Sequence, residues 1–208
     1  NTEATERQSY RSDVFHLKAV MDLVGRMIER PEISNLFLLS DIPKQPEKLY
    51  KSYSDAELTR LNRAIVDANV QVARALILHQ MLGTRISDTL TLLQDCVFEK
   101  DGKLMVKINQ VKSRRSYRKT INDEIHSLIR ASIEYTKEHS PDSQYVFAHD
   151  KYVDRPMSYA KIQYQLMALI HENDLRDDNG ELFGVGTHLF RHTYGRKLTE
   201  MHVDDTTI

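Results

Sequence analysis

The chain has 208 residues, with 29 lysines and arginines against 30 aspartates and glutamates, and a formal net charge of −1 at pH 7. That length suits one ordinary domain and part of another, and that balance excludes a surface coated in positive charge, so any nucleic-acid reading rests on local charge. Cys96 is the one cysteine; it excludes a disulfide framework or a multi-cysteine zinc site within the chain, suits a reducing cytoplasm, and reads as a small buried hydrophobe.

The N-terminus, NTEATERQSYRSD, is polar, carries no secretory pattern and lacks an initiator methionine, so the chain reads as a piece of a longer protein. No apolar run approaches the roughly 20 residues that cross a bilayer, and no membrane association is expected. Over 12–30, Val14, Leu17, Met21, Val24 and Ile28 recur at helical spacing. Pro31 is expected to end that helix. Pro31, Pro43 and Pro46 mark 31–53 as a linker. A lone helix before a linker cannot bury its own stripe, so 1–30 reads as the end of a preceding domain.

A second unit opens at Ser54, where Ser54 and Glu57 have the spacing of a capping box and predict a helix to about Ala68. Residues 70–82 are apolar nearly all round, as in a buried helix, with Gly83 as its stop. A further short helix is expected over 86–93. The period then changes: Leu104, Val106 and Ile108 alternate after the turn pair Asp101-Gly102, and a third strand is expected over 116–121 beyond a loop at 110–115. Asn122 is positioned to cap a helix to about Glu138, and Ser158 one to about His171. Tyr145–Phe147 is a short apolar segment, and 173–186 is polar and broken by Gly180, Gly184 and Gly186. Thr187 is expected to cap the last helix. The fold class is mostly α with one small antiparallel sheet.

Three features bear on chemistry. Arg85 follows the stop of a buried helix, where a guanidinium is held firmly and can fork onto phosphate oxygens. His188 and Arg191 lie three apart in the first turn of the last helix and share a face above a helix N-terminus, which favours an anion. Lys112, Arg114, Arg115, Arg118 and Lys119 put five cations within KSRRSYRK, a loop suited to lying along a nucleic-acid backbone. Each has a plainer reading: a surface ion pair, a chance H-x-x-R, a solvated loop.

Their order decides between these readings. Met81-Leu82-Gly83-Thr84-Arg85-Ile86-Ser87-Asp88 resembles the T-G-x-R-x-S-E box of the tyrosine recombinases, and Thr187-His188-Leu189-Phe190-Arg191-His192-Thr193 resembles their H-x-L-R-H-T box. Gln110–Arg115 stands where that family has a hairpin loop, commonly G-K-G-x-K-x-R before V-P-L, and Lys112 aligns with its lysine. Tyr53–Leu58 resembles the start of the family's catalytic domain, and 12–30 the last helix of its core-binding domain, which gives boundaries of 1–30, 31–53 and 54–208. There are departures: Leu82 stands where threonine is usual, Asp88 replaces glutamate, and Arg114 and Arg115 replace glycine and lysine.

The resemblance implies an integrase or transposase that cuts and rejoins double-stranded DNA through a 3′-phosphotyrosine, working as a tetramer on two duplexes with neither metal nor cofactor. It implies that Arg85 and Arg191 stabilise the charge of the transition state, that His188 serves as acid–base or hydrogen-bond donor, and that Lys112 protonates the leaving 5′-oxygen. Arg114, Arg115, Arg118 and Lys119 would contact DNA. By family spacing the nucleophilic tyrosine falls beyond Ile208, so residues 1–208 alone are expected not to cleave. Tyr194 is expected to pack in the core and Tyr117 to stack or pack. The run Tyr194–Met201 suggests a transposase of a mobile element.

The alternatives are a non-catalytic DNA-binding regulator, which leaves the order of Arg85, His188 and Arg191 unexplained, and a related topoisomerase chemistry that relaxes one site. A metallohydrolase using His188 and His192 needs a glutamate where Leu189 stands, so His192 reads as a packing histidine.

Overall fold

The computed structural model describes residues 10–42, 51–184 and 186–201. The chain divides into two compact units, 1–49 and 50–208. The first holds α1 (Tyr10–Met27), α2 (Pro31–Ser34) and a 3-10 turn (Leu39–Asp41). α1 stops before Pro31: Glu29 turns into the left-handed region at φ 56°, and the Arg30 amide donates back to the Gly25 carbonyl at 2.8 Å. Pro31 instead opens α2, where a missing N–H costs nothing. Gly25 lets the two helices touch, because a Cβ there would run into Ser34. Of the predicted stripe, Val14 and Met21 are half-buried, whereas Leu17, Val24 and Ile28 are exposed. Pro43 and Pro46 of the expected linker lie outside the described residues.

The second unit begins with α3 (Asp55–Ile65). Its predicted capping box is present: the Ser54 hydroxyl accepts from the Glu57 amide at 3.1 Å, and the Glu57 carboxylate accepts from the Ser54 amide at 2.7 Å. The same two residues reach across the sequence. Ser54 Oγ donates to Asp178 at 2.7 Å, Glu57 accepts from the Asp178 amide at 3.0 Å, and Arg60 pairs with Asp178 at 2.7 Å. The glycine-broken stretch 173–184 is thereby fastened to α3.

α4 (Val70–Leu82) packs against α3 and against α5 (Ile86–Leu90), α6 (Asp123–His139), α7 (Tyr159–Glu172) and α8 (His188–Glu200). This is why its sequence is apolar on every side: Val72, Ala75, Leu76 and Leu78 are fully buried. Its one buried amide is satisfied on the donor side, Gln71 Nε2 reaching the Ser132 carbonyl and Thr136 Oγ1 of α6, both at 3.1 Å. Gly83 ends α4 at φ 64°, the left-handed cap that glycine adopts without steric cost.

β1 (Val97–Lys100), β2 (Lys103–Gln110) and β3 (Arg115–Thr120) form an antiparallel sheet in that order. Asp101 and Gly102 turn between β1 and β2 with φ of 53° and 70°. Val106 and Ile108 of β2 face the core, opposite Lys119 and Tyr117 of β3. Asn122 and Ser158 cap α6 and α7 by accepting from Ile125 and Lys161 at 3.0 and 3.2 Å. Thr187 departs from expectation. Its backbone is already helical, its hydroxyl makes no cap bond, and Oγ1 lies 3.4 Å from the Tyr159 hydroxyl instead. Val146 and Phe147 run through the core, with the Val146 amide on the Leu92 carbonyl at 2.8 Å. Cys96 is buried, and that burial pushes its thiol up to about 12.

The Ser54 hydroxyl serves both a helix cap and a link to Asp178. Ser54→Ala is expected to lower unfolding stability by about 1–2 kcal/mol in urea denaturation, with Ser54→Thr restoring most of it; a loss below a few tenths would show the box to be idle.

Candidate functional site

Arg85 sits at the N-cap position of α5, two residues past Gly83. The corner between α4 and α5 is tight because the Tyr194 ring of α8 covers Gly83: a Cβ there would overlap ring carbons. Asp88, 1% exposed, fixes the next turn. One carboxylate oxygen accepts from the Val111 amide at the hairpin tip at 3.1 Å, and the other lies 3.8 Å from the Arg85 guanidinium. A buried carboxylate thus joins α5, the hairpin and Arg85, while the Arg85 side chain stays 35% exposed and open to a ligand.

His188 is the first residue of α8 and Arg191 the fourth, and the His188 and His192 rings meet edge to face at 5.2 Å. The start of α8 is held from below by His79, whose Nε2 lies 3.0 Å from the Thr187 carbonyl. That carbonyl only accepts, so Nε2 carries the proton. Nδ1 is buried with no partner among the described residues. Burial holds the imidazole below the ordinary 6.5, the Thr187 hydrogen bond opposes this, and the charges of Arg191 and His188 push it lower still. His79 was not among the residues singled out from the sequence; the available signal was an imidazole in an otherwise apolar buried helix.

Tyr117 stands on β3 opposite the buried Ile108. Its phenol is raised first by burial and then by Asp88, and is lowered by both Arg191 and Arg85. The Tyr117 residue is 37% exposed. Tyr117, expected to stack or pack, is partly exposed on the sheet face that it shares with Lys119.

The five cations of the basic loop separate. Lys112 and Arg114 occupy the exposed hairpin tip, Arg114 at φ 53°, and Arg115 opens β3. The Arg118 guanidinium lies over the Phe98 ring at 5.6 Å. Lys119 turns inward: its ammonium donates to the Leu82 carbonyl at 2.8 Å and to the Tyr194 hydroxyl at 2.6 Å, and lies 4.4 Å from the Tyr194 ring centre. Tyr194 is half-buried and linked by hydrogen bond to Lys119, more than a core filler. Among the described residues no group of three or more His, Cys, Asp or Glu side chains is placed to hold a metal ion, and no helix is long and apolar enough to cross a membrane.

Helices around a buried α4, with a three-stranded sheet leaning on α5, form the catalytic-domain fold of the tyrosine recombinases. The XerH site-specific recombinase, solved with its palindromic difH substrate after cleavage, superposes with a TM-score of 0.69 over 95% of this chain and 57% of its own, at 16% identity. A variant of the Tn1549 transposon integrase, solved with a circular intermediate DNA, superposes with a TM-score of 0.73 over 99% of this chain and 71% of its own, at 14% identity. The chain belongs to the Phage integrase family, which residues 51–208 match. Transposase B from transposon Tn554 of Staphylococcus aureus (strain Mu50 / ATCC 700699) is 29% identical over 164 residues, 78% of this chain and 26% of that protein. Transposase B from transposon PsiTn554 of Staphylococcus aureus is 28% identical over 158 residues, 76% of this chain and 25% of its own length. The chain thus spans about a quarter of the length of these relatives.

The unfolded chain takes up a proton at His79 more readily than the folded one, so stability rises with pH across the window below 6.5. Stability is expected to fall as the pH drops from about 7.5 to about 5, before the carboxylates titrate. His79→Gln, which keeps a donor for Thr187, is expected to flatten that slope; denaturant midpoints measured across the window test it, and an unchanged slope would place the titration elsewhere.

Proposed function

We propose that this chain supplies the phosphate-activating part of a recombinase or transposase that cleaves and rejoins double-stranded DNA. The observation that carries the reading is the link between the Arg85 corner and α8: Lys119 joins Leu82, three residues before Arg85, to Tyr194, three residues after Arg191 on the helix that opens with His188. A scissile phosphate seated there gains negative charge as a nucleophile adds to phosphorus. Two fixed guanidinium groups offset that charge without reorganising. His188, at the positive end of the helix dipole, donates to the same oxygens or exchanges a proton with them.

In the reaction we infer, a tyrosine oxygen gives up its proton to His188 as it bonds to phosphorus, and the bond to the 5′-oxygen breaks. The leaving oxygen takes a proton from Lys112, and the DNA 3′ end remains attached as a phosphotyrosine. The bond energy is retained in that ester, so the reverse attack by a 5′-hydroxyl needs no nucleotide cofactor. We assign the nucleophile to a tyrosine outside these 208 residues, since the Tyr194 hydroxyl is engaged by Lys119. Lys112, Arg114 and Arg115 at the hairpin tip would track the DNA backbone. Assembly as a tetramer on two duplexes in the cytoplasm is the arrangement consistent with strand exchange.

In the complete gene product, Arg191→Ala is expected to lower formation of a covalent protein–DNA adduct on a nicked substrate by about 10²–10³-fold, while DNA affinity survives. Residues 1–208 alone are expected to form none. A wild-type protein that forms no adduct, and whose Arg191→Ala variant loses only affinity, would be a DNA-binding regulator instead.

The hairpin tip has a separate signature. Replacing Arg114 and Arg115 together by alanine is expected to weaken DNA binding and to reduce the salt dependence of log K by about 2, with the cleavage rate on saturating DNA unchanged. An unaltered salt slope would remove the tip from the interface.

A further inference from the structure

The ammonium of Lys119 lies where three separate segments meet. It projects from β3, on the face it shares with Tyr117 two residues earlier. It donates to the carbonyl of Leu82, the last residue of α4, three residues before Arg85. It also donates to the hydroxyl of Tyr194, three residues after Arg191 on α8. Residues three apart on a helix share a face, so the α8 face that presents Arg191 is the one that Lys119 grips. The same ring closes over Gly83.

Each contact suits a cation. The carbonyls at a helix C-terminus carry excess negative charge, and a lysine there satisfies an otherwise free acceptor. A phenol oxygen and the adjoining ring face both attract an ammonium. The group is half-buried rather than displayed, and Val106, directly opposite in the ladder, is fully buried. This is a poor location for a contact to DNA and a good one for a brace.

We propose that Lys119 is a positioning residue: through Leu82 and Tyr194 it holds the Arg85 corner and the Arg191 face of α8 at one spacing, so that both guanidinium groups meet a single phosphate. The proposal rests on the functional reading above. Lys119 touches no reacting atom; it acts through the two arginines. A shift of about 1 Å in such groups is enough to slow a reaction by about 10²-fold.

The test uses the complete gene product and a nicked DNA substrate, and measures three quantities: single-turnover adduct formation on saturating DNA, the dissociation constant with its salt dependence, and the thermal midpoint. Lys119→Met keeps most of the side-chain volume and removes the charge. Tyr194→Phe keeps the ring over Gly83 and removes the hydroxyl. Lys119→Met is expected to slow cleavage by about 10- to 100-fold with affinity and salt slope little changed, and Lys119→Arg to recover part of the rate. Because the bond that Tyr194→Phe removes is one of the two that Lys119→Met removes, the double variant is expected to be no slower than Lys119→Met alone. Should Lys119→Met fail to fold, Tyr194→Phe and Lys119→Arg still carry the comparison. A lower thermal midpoint with an unchanged rate would reduce Lys119 to a structural role and overturn the proposal. A weaker, less salt-sensitive complex with an unchanged rate would make it a DNA contact, again overturning it. Absence of adduct from the wild type would instead remove the recombinase reading itself.

Discussion

No side chain fits at Gly83, because the Tyr194 ring occupies the space beside it and the backbone there is left-handed. Much of the second unit follows from that exclusion. It lets α8 approach the end of α4 closely, and so it sets how near residues on α8 come to the corner that follows. α4 in turn touches every helix of its unit, and its position is fixed by apolar burial on all sides. The rigid core therefore ends in a corner whose geometry is determined twice, by packing behind and by an aromatic ring in front. Functional groups attached just beyond such a corner have little freedom to wander.

Charge is distributed along the same lines. A molecule with a formal net charge of −1 has no general attraction for DNA. Five of its cations fall within Lys112–Lys119, while Asp174, Asp177 and Asp178 collect in the segment fastened to α3. Each of those carboxyls is held below the usual carboxylate range, Asp174 by Arg176, Asp177 by the Glu181 amide and Asp178 by Arg60. The acidic segment is thus engaged locally, and the exposed tip of the hairpin carries Lys112 and Arg114.

Local signals in the sequence translated directly into structure. The Ser54–Glu57 box, the Gly83 stop, the Asp101-Gly102 turn and the caps at Asn122 and Ser158 each depend on residues a few positions apart, and each is where its spacing placed it. Long-range geometry was not legible in this way. Pro31 looked like the end of a helix but opens one, because Glu29 had already turned the chain. Thr187 has the right identity for a cap, yet its hydroxyl faces Tyr159, 28 residues earlier at the start of α7. Lys119 counts as one more positive charge in a basic run until the strand register turns it inward. His79 is invisible to periodicity because its partner lies 108 residues away. The order of Arg85, His188 and Arg191 could be read from sequence; the side chains that brace them could not, since bracing is a property of contacts between segments.

Cys96 is the single sulfhydryl among the 208 residues and is 2% exposed. With its thiol raised to about 12, almost none of it is thiolate at neutral pH, and the thiolate is the form that reacts. While the second unit stays closed, thiol-directed reagents find no thiolate to attack at Cys96. When the region around β1 opens, a single thiol is released. The chain therefore carries an internal clock, in which each labelling event at Cys96 records one excursion away from the native state.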